Sequence, residues 1–275
     1  MPSREEVRGF YPAQYYGEPG TKFQPLVERL VRVVGERHIS FLTRLLAPGA
    51  RVLDLGCGRG VILGPLADRG YEVHGVEISA EAARGADPRA EVRIAPSLGD
   101  AGYEAGFFDE VVIWHVLEHV DDPRGTLEEA ARILRPAGRL ILALPNFSSA
   151  QARWTGAAWF HLDPPRHLYH FPLAALEELL KSAGFEIASV HHFSLRQNPF
   201  GWIQSALNRF GGLPRNGVYT LLHRRSVDAA PPFDARARFW LWLWLVLGTP
   251  LALLATLFET LFRSGATVHL VASKR

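Results

Sequence analysis

The run Gly56-Cys57-Gly58-Arg59-Gly60 follows an apolar stretch, Val52-Leu53-Asp54-Leu55, and places glycine at every second position. Such a turn lets backbone N–H groups approach a ligand without Cβ interference and suits a nucleotide-sized partner. Glu77 closes a second apolar run about twenty residues later, the spacing at which a carboxylate accepts both hydroxyls of a ribose. The dinucleotide pattern wants a sixth-position glycine, where this chain has Val61. NAD is therefore disfavoured, and an NAD-dependent oxidoreductase stands only as the alternative enzyme class. A second group of reactive side chains comprises His115, Glu118 and His119, followed by His161, Asp163, Arg166, His167 and His170. Histidine is the side chain best matched to taking a proton near neutral pH. His115-Val-Leu-Glu118-His119 also spells H-x-x-E-H, a zinc-peptidase pattern that needs both histidines on one helix. Residues 109–114 read as a strand with His115 at its end, which sets the peptidase reading aside.

These groups need a scaffold that brings them to one edge. Short β-branched runs at 51–55, 71–76, 92–94, 109–114 and 139–144 alternate with helical stretches, the signature of a parallel sheet covered on both faces. Ligands of such sheets bind beyond the C-terminal strand ends. The glycine turn, His115 and the loop 159–170 all fall there. A helix over 172–182 and strands over 185–192 and 266–273 complete the pattern, and an amphipathic helix over 23–46, stopped by Pro48-Gly49, precedes it.

Composition removes several classes of function. With 48% apolar and 21% charged residues and a formal net charge of +2, the 275-residue chain is globular and has no basic stripe for nucleic acid. Its single cysteine, Cys57, excludes an internal disulfide and a cysteine zinc cluster, so a reducing, cytoplasmic setting is expected. Residues 1–20 contain no apolar run of the kind found in a cleavable leader.

At Asp54 and the G-x-G-x-G turn the sequence resembles the class I, Rossmann-like S-adenosylmethionine-dependent methyltransferases. Phe108-Asp109-Glu110-Val111-Val112 resembles their fourth strand, Val116-Leu117-Glu118-His119-Val120 the helix after it, and the segment Arg132 to Gly138 the turn into the fifth strand. Together these cover residues 50–195. The V-L-E-H-V element resembles the branch containing ubiquinone-biosynthesis O-methyltransferases and bacterial relatives. The resemblance implies a mostly parallel α/β sheet with an antiparallel last strand and helices on both faces. It implies S-adenosylmethionine as methyl donor, held by Asp54, Gly56, Cys57, Gly58, Gly60, Glu77 and Ile78, with Ser97 and Leu98 near the adenine and Trp114 and His115 after the fourth strand. It also implies that His115, His119, His161 and His167 serve catalysis, and that Tyr16, Trp159, Asp163, Arg166 and His170 meet the acceptor. Relatives in the branch can bind a divalent metal through glutamates and a histidine here, but His115 replaces the first of those glutamates, leaving metal use open. Two further departures are Pro136-Ala137-Gly138 in place of Pro-Gly-Gly and a loop, 95–100, without an aligned acid for the adenine amino group. The non-enzymatic alternative is a membrane-associated scaffold that binds the nucleotide without turnover.

The domain reading is an N-terminal arm and helix over the cofactor site (1–47), the cofactor-binding core (48–195), an apolar helical insertion (196–264) and the last core strand (265–275). Residues 239–258 carry no charge, a length sufficient for a membrane span. Because strands on either side of the insertion must share one sheet, a single crossing is excluded. Gly248-Thr249-Pro250 predicts a break into two halves of about ten residues, each too short to span. A hairpin in one leaflet is the favoured expectation, beside an in-plane helix, a cap packed on protein and a homodimer contact. Arg196, Arg209, Arg215, Arg224, Arg225, Arg236 and Arg238 outnumber Asp228 and Asp234 nearby and suit anionic headgroups, and Trp240, Trp242 and Trp244 suit an interface. The expected function is O-methylation of an amphiphilic or lipid-linked small molecule on the cytoplasmic face of a membrane.

Overall fold

A computed structural model describes residues 38–44, 46–210, 212–222 and 233–275. Residues 38–43 are helical, in line with the end of the expected 23–46 helix, whose remainder lies outside the described residues together with the arm bearing Tyr16.

Seven strands form one sheet: β1 (Arg51–Leu55), β2 (Glu72–Glu77), β3 (Glu91–Ile94), β4 (Phe108–Trp114), β5 (Leu134–Pro145), β6 (Phe185–His191) and β7 (Thr267–Lys274), in the order β3-β2-β1-β4-β5-β7-β6. Every pairing from β3 to β5 is parallel, and β7 runs antiparallel to both β5 and β6. The central strands are unbroken Val/Leu/Ile runs because helices bury both faces. On one face Leu53, Phe108 and Leu140 pack with Leu127 and Ile133 of α3 (Pro123–Ile133), whose first turn is capped by Asp122 accepting from Gly125 N–H. On the other, Val52, Val112 and Ile141 pack with Leu63 and Leu66 of α1 (Leu63–Ala67). Register is what assembles the site. Leu55 lies opposite both Val76 and Ile113, so β1, β2 and β4 end at one level. The turns at Gly56, Ile78 and His115 thus share one edge.

The remaining helices are α2 (Ala80–Ala83), α4 (Ala150–Thr155), α5 (Leu173–Ser182), α6 (Asn198–Phe210), α7 (Gly217–Leu222) and α8 (Ala235–Leu261). The expected strands recur within a few residues, with one structural difference. β5 begins at Leu134, inside the segment expected as a turn, because a register shift opposite Phe108 and Glu110 lets residues 134–138 bulge and rejoin the ladder at Arg139.

The expected break at Gly248-Thr249-Pro250 is corrected: α8 is one 27-residue helix with Pro250 inside it. Proline costs one backbone bond to the preceding turn, but α8 is anchored to α6 on both sides of it. Before the proline, Trp244 Nε1 donates to the Ile203 carbonyl; after it, Glu259 Oε2 accepts from Trp202 Nε1 at 2.9 Å. These contacts outweigh the lost bond. With Ile203, Leu207, Val218, Leu241 and Ala252, the insertion builds a small core of its own.

Candidate functional site

The glycine turn is held by two N–H donors, Gly56 and Cys57, on the Val76 carbonyl. Gly56, Gly58 and Gly60 all have positive φ (69°, 50° and 70°), the region L side chains avoid. Gly56 and Gly60 are also packed: a Cβ on Gly56 would fall 2.5 Å from Val116 Cγ2, and one on Gly60 3.1 Å from Ala86. Gly58 differs, for a Cβ there meets nothing within 4 Å. Beside that open space stands the Glu77 carboxylate. Its Oε2 accepts the Gly58 N–H at 2.9 Å, and its Oε1 accepts those of Ile78 and Ser79 at 2.8 and 3.1 Å. Burial, reinforced by the Glu77 charge, raises the Asp54 carboxyl to about 8. Burial likewise pushes the Cys57 thiol up, and its sulfur packs where Gly75 has no side chain. Cys57 is therefore an inert packing group. An open backbone, a fixed carboxylate with a spare lone pair on Oε2 and a buried acid behind the turn fit an adenosine moiety. The Gly58→Ala protein is expected to fold, losing about 1–2 kcal/mol for the left-handed Cβ, while cofactor affinity falls at least about tenfold. Thermal melts beside calorimetry would separate these effects.

At the same edge a cavity of about 200 Å³ is lined by His115, Glu118, His119, His161, Asp163, Arg166 and His167. His115 follows β4 in the left-handed region (φ 55°), anchored by its N–H on the Ala143 carbonyl. That backbone setting turns its Nδ1 to Glu118 Oε1 at 3.2 Å, and its Nε2 lies 3.4 Å from the Gln197 amide. Glu118 is buried, which alone would raise its carboxyl. The hydrogen bond to His115 and the nearby His115, His119 and His167 hold it at about 2 instead. An ionised carboxylate on Nδ1 fixes the tautomer and leaves Nε2 as the proton acceptor.

A second arrangement occupies the same wall. His119 Nδ1 donates to the Arg166 carbonyl and His167 Nδ1 to the His161 carbonyl, at 3.0 and 2.8 Å, which fixes the orientation of both rings. Ligand atoms of Glu118, His119 and His167 lie within 4.8 Å of one another, and Glu118 Oε2 is buried without a hydrogen bond among the described residues. Burial keeps His167 low, at about 4, and therefore neutral at pH 7. Two imidazoles oriented by carbonyls and one carboxylate are a donor set for zinc or another transition ion.

Several expected site residues have other surroundings. Trp159 is fully buried and donates its indole N–H to Gln151, so it supports the cavity floor without facing an acceptor. His170 bonds to the Leu162 carbonyl and packs on Phe147, outside the cavity. Leu98 is a core residue under β3. Trp114 packs against the rings of His38 and His269, with centroids 3.5 and 4.7 Å away. His161 lines the cavity, but its Nε2 points at Gly201, where a Cβ would be 2.8 Å away, and burial lowers it to about 3. Ser97 donates to Asp100 at 2.7 Å, which sets an acid in the loop after β3. The sequence reading missed Gln197, Asn216 and Tyr219, which line the cavity from the start of α6 and from α7. No local pattern marks them among the other polar residues of the 196–264 segment.

The methyltransferase domain family matches residues 28–190. A ubiquinone biosynthesis O-methyltransferase of Xanthomonas euvesicatoria is 30% identical over 161 residues, 54% of this chain and 67% of the relative. Among solved structures, a sarcosine dimethylglycine methyltransferase of Galdieria sulphuraria superposes with a TM-score of 0.59 at 16% identity, covering 98% of both chains. A phosphoethanolamine N-methyltransferase 2 of Haemonchus contortus, in complex with S-adenosyl-L-methionine, gives 0.56 at 17% identity, covering all of this chain and 60% of the other. The chain belongs to the methyltransferase domain family, as a class I S-adenosylmethionine-dependent methyltransferase.

Proposed function

We propose that the enzyme O-methylates an amphiphilic small molecule at a membrane surface. The observation that carries this reading is the His115–Glu118 pair: a hydroxyl acceptor must lose a proton, and a histidine held by a buried, ionised carboxylate performs that task. The name of the Xanthomonas relative supports oxygen as the acceptor atom. When bound, S-adenosylmethionine supplies an electrophilic methyl group on sulfur. Glu77 would hold its ribose and the Gly58 backbone would pass beneath it, while the cavity walls hold the acceptor hydroxyl in line and keep water out. The exposed apolar surface of α8, with Leu251, Leu257 and Leu261 at 69%, 58% and 73% exposure, supports a membrane setting in which the helix lies in the interface plane. Labelled methyl transfer to extracted lipids, compared with a water-soluble extract, tests the reading: label confined to the soluble pool would refute an amphiphilic acceptor.

The imidazole–carboxylate cluster supports a divalent ion beside the acceptor oxygen, held by Glu118, His119 and His167, where it would lower the hydroxyl's proton affinity. Chelator treatment is expected to slow turnover about tenfold or more, with zinc or cobalt restoring it better than magnesium. An unchanged rate would assign the cluster to hydrogen bonding alone.

A further inference from the structure

Between α6 and α8 runs an open groove of about 1020 Å³. Its walls include Trp154, Trp202, Trp240 and Trp244. Trp202 and Trp244 spend their N–H groups on Glu259 and the Ile203 carbonyl, so they offer only carbon to the groove. The two helices are antiparallel, since Asn198 at the start of α6 accepts the N–H of Thr267 just past α8, while Ile203, five residues on, meets Trp244 and Gly248. Phe210 therefore lies at the N-terminal end of α8, where Arg236 also lines the groove and Arg209 stands 5.6 Å over the Trp154 ring. Asp234 is there too, but its carboxylate caps α8 by accepting the Ala237 N–H. Arg236 and Arg209 against Asp234 thus leave an excess of positive charge at one end of a mostly apolar trough. From that end the chain passes through Gly212 and Leu213, which line the groove, to Asn216 and Tyr219, which line the histidine cavity. From Asp234 to Ala255 the trough follows α8 for about 30 Å.

We infer that this groove holds the hydrocarbon tail of an anionic-headed amphiphile, with the head at the Arg236 end and next to the wall shared with the histidine cavity. The inference rests on the amphiphilic-acceptor reading and gives it a site. A long, mostly apolar trough opening on the exposed face of α8 admits a chain sideways from a lipid layer. The cationic end and the shared wall fix which way round it lies.

The test uses the full chain and cis-parinaric acid, a fluorescent fatty acid, with its methyl ester as the uncharged probe. Saturable one-to-one binding is expected, with the acid bound several-fold more tightly than the ester and that difference lost in Arg236→Glu. Gly248→Phe, whose Cβ has room at 3.8 Å from Ile203, and Ala206→Trp both fill the trough. Each is expected to weaken binding about tenfold or more, while Leu257→Glu, on exposed helix outside it, binds as the parent does. Unchanged S-adenosylmethionine affinity certifies that each variant is folded. Unsaturable partitioning, or filled variants that bind as the parent does, would overturn the inference. So would a self-associating parent that takes up no probe and becomes monomeric when the trough is filled. Saturable probe binding without label in any lipid extract would sink the acceptor reading and leave the groove standing; labelled lipid without saturable binding would do the reverse.

Discussion

Replacing His115 with alanine is expected to cut turnover by about 10²- to 10⁴-fold, the range lost with a positioned general base. Affinity for S-adenosylmethionine should change little, since the Gly58–Glu77 cradle stands on β1 and β2 while His115 follows β4. Glu118→Gln should lower turnover as well, because a neutral amide no longer favours the protonated ring that forms as the base takes its proton. Single-turnover rates across a pH series distinguish a lost base from a distorted pocket: raising pH should recover part of the rate of the alanine variant by ionising the acceptor itself. A variant that turns over at the parental rate would remove His115 from the chemistry.

Glu77→Gln is expected to weaken S-adenosylmethionine binding by about 10- to 100-fold, the equivalent of about 1.4–2.8 kcal/mol. The carboxylate accepts three backbone N–H groups through two oxygens. An amide supplies one acceptor oxygen and turns two hydrogens toward donors, so the Gly58 backbone loses its anchor together with the ribose partner. Glu77→Ala should lose as much affinity and melt earlier, since buried N–H groups left unpaired cost about 1–3 kcal/mol each. Calorimetry with the cofactor and with its demethylated product reads both variants; parental affinity in Glu77→Gln would disprove the ribose role.

The sequence made the sheet readable because its strands are buried on both faces and punctuated by glycine and proline. Val52 to Leu55 and Val111 to Ile113 admit little else than central strands. The cradle was legible for a local reason: Gly56, Gly58, Gly60 and Glu77 act mainly through backbone geometry and strand register. The histidine cavity was half legible. His115, Glu118 and His119 are neighbours in the chain, whereas Gln197 reaches His115 across 82 positions, a distance no spacing rule covers. Trp159 and His170 look reactive by type, and only packing reveals that one is floor and the other is tied to Leu162. Pro250 misled for a physical reason, since its local cost is certain and the anchoring that outweighs it is long-range.

Because β7 threads between β5 and β6, β6 reaches the sheet only through a segment that emerges after α8. Assembly of that half of the molecule therefore waits until the oiliest helix has been made and laid down. Such non-local pairing slows folding and leaves apolar surface bare in the meantime. Until β7 pairs, any apolar surface that covers α8 acts as its folding chaperone, so the yield of native protein should depend on what α8 meets first.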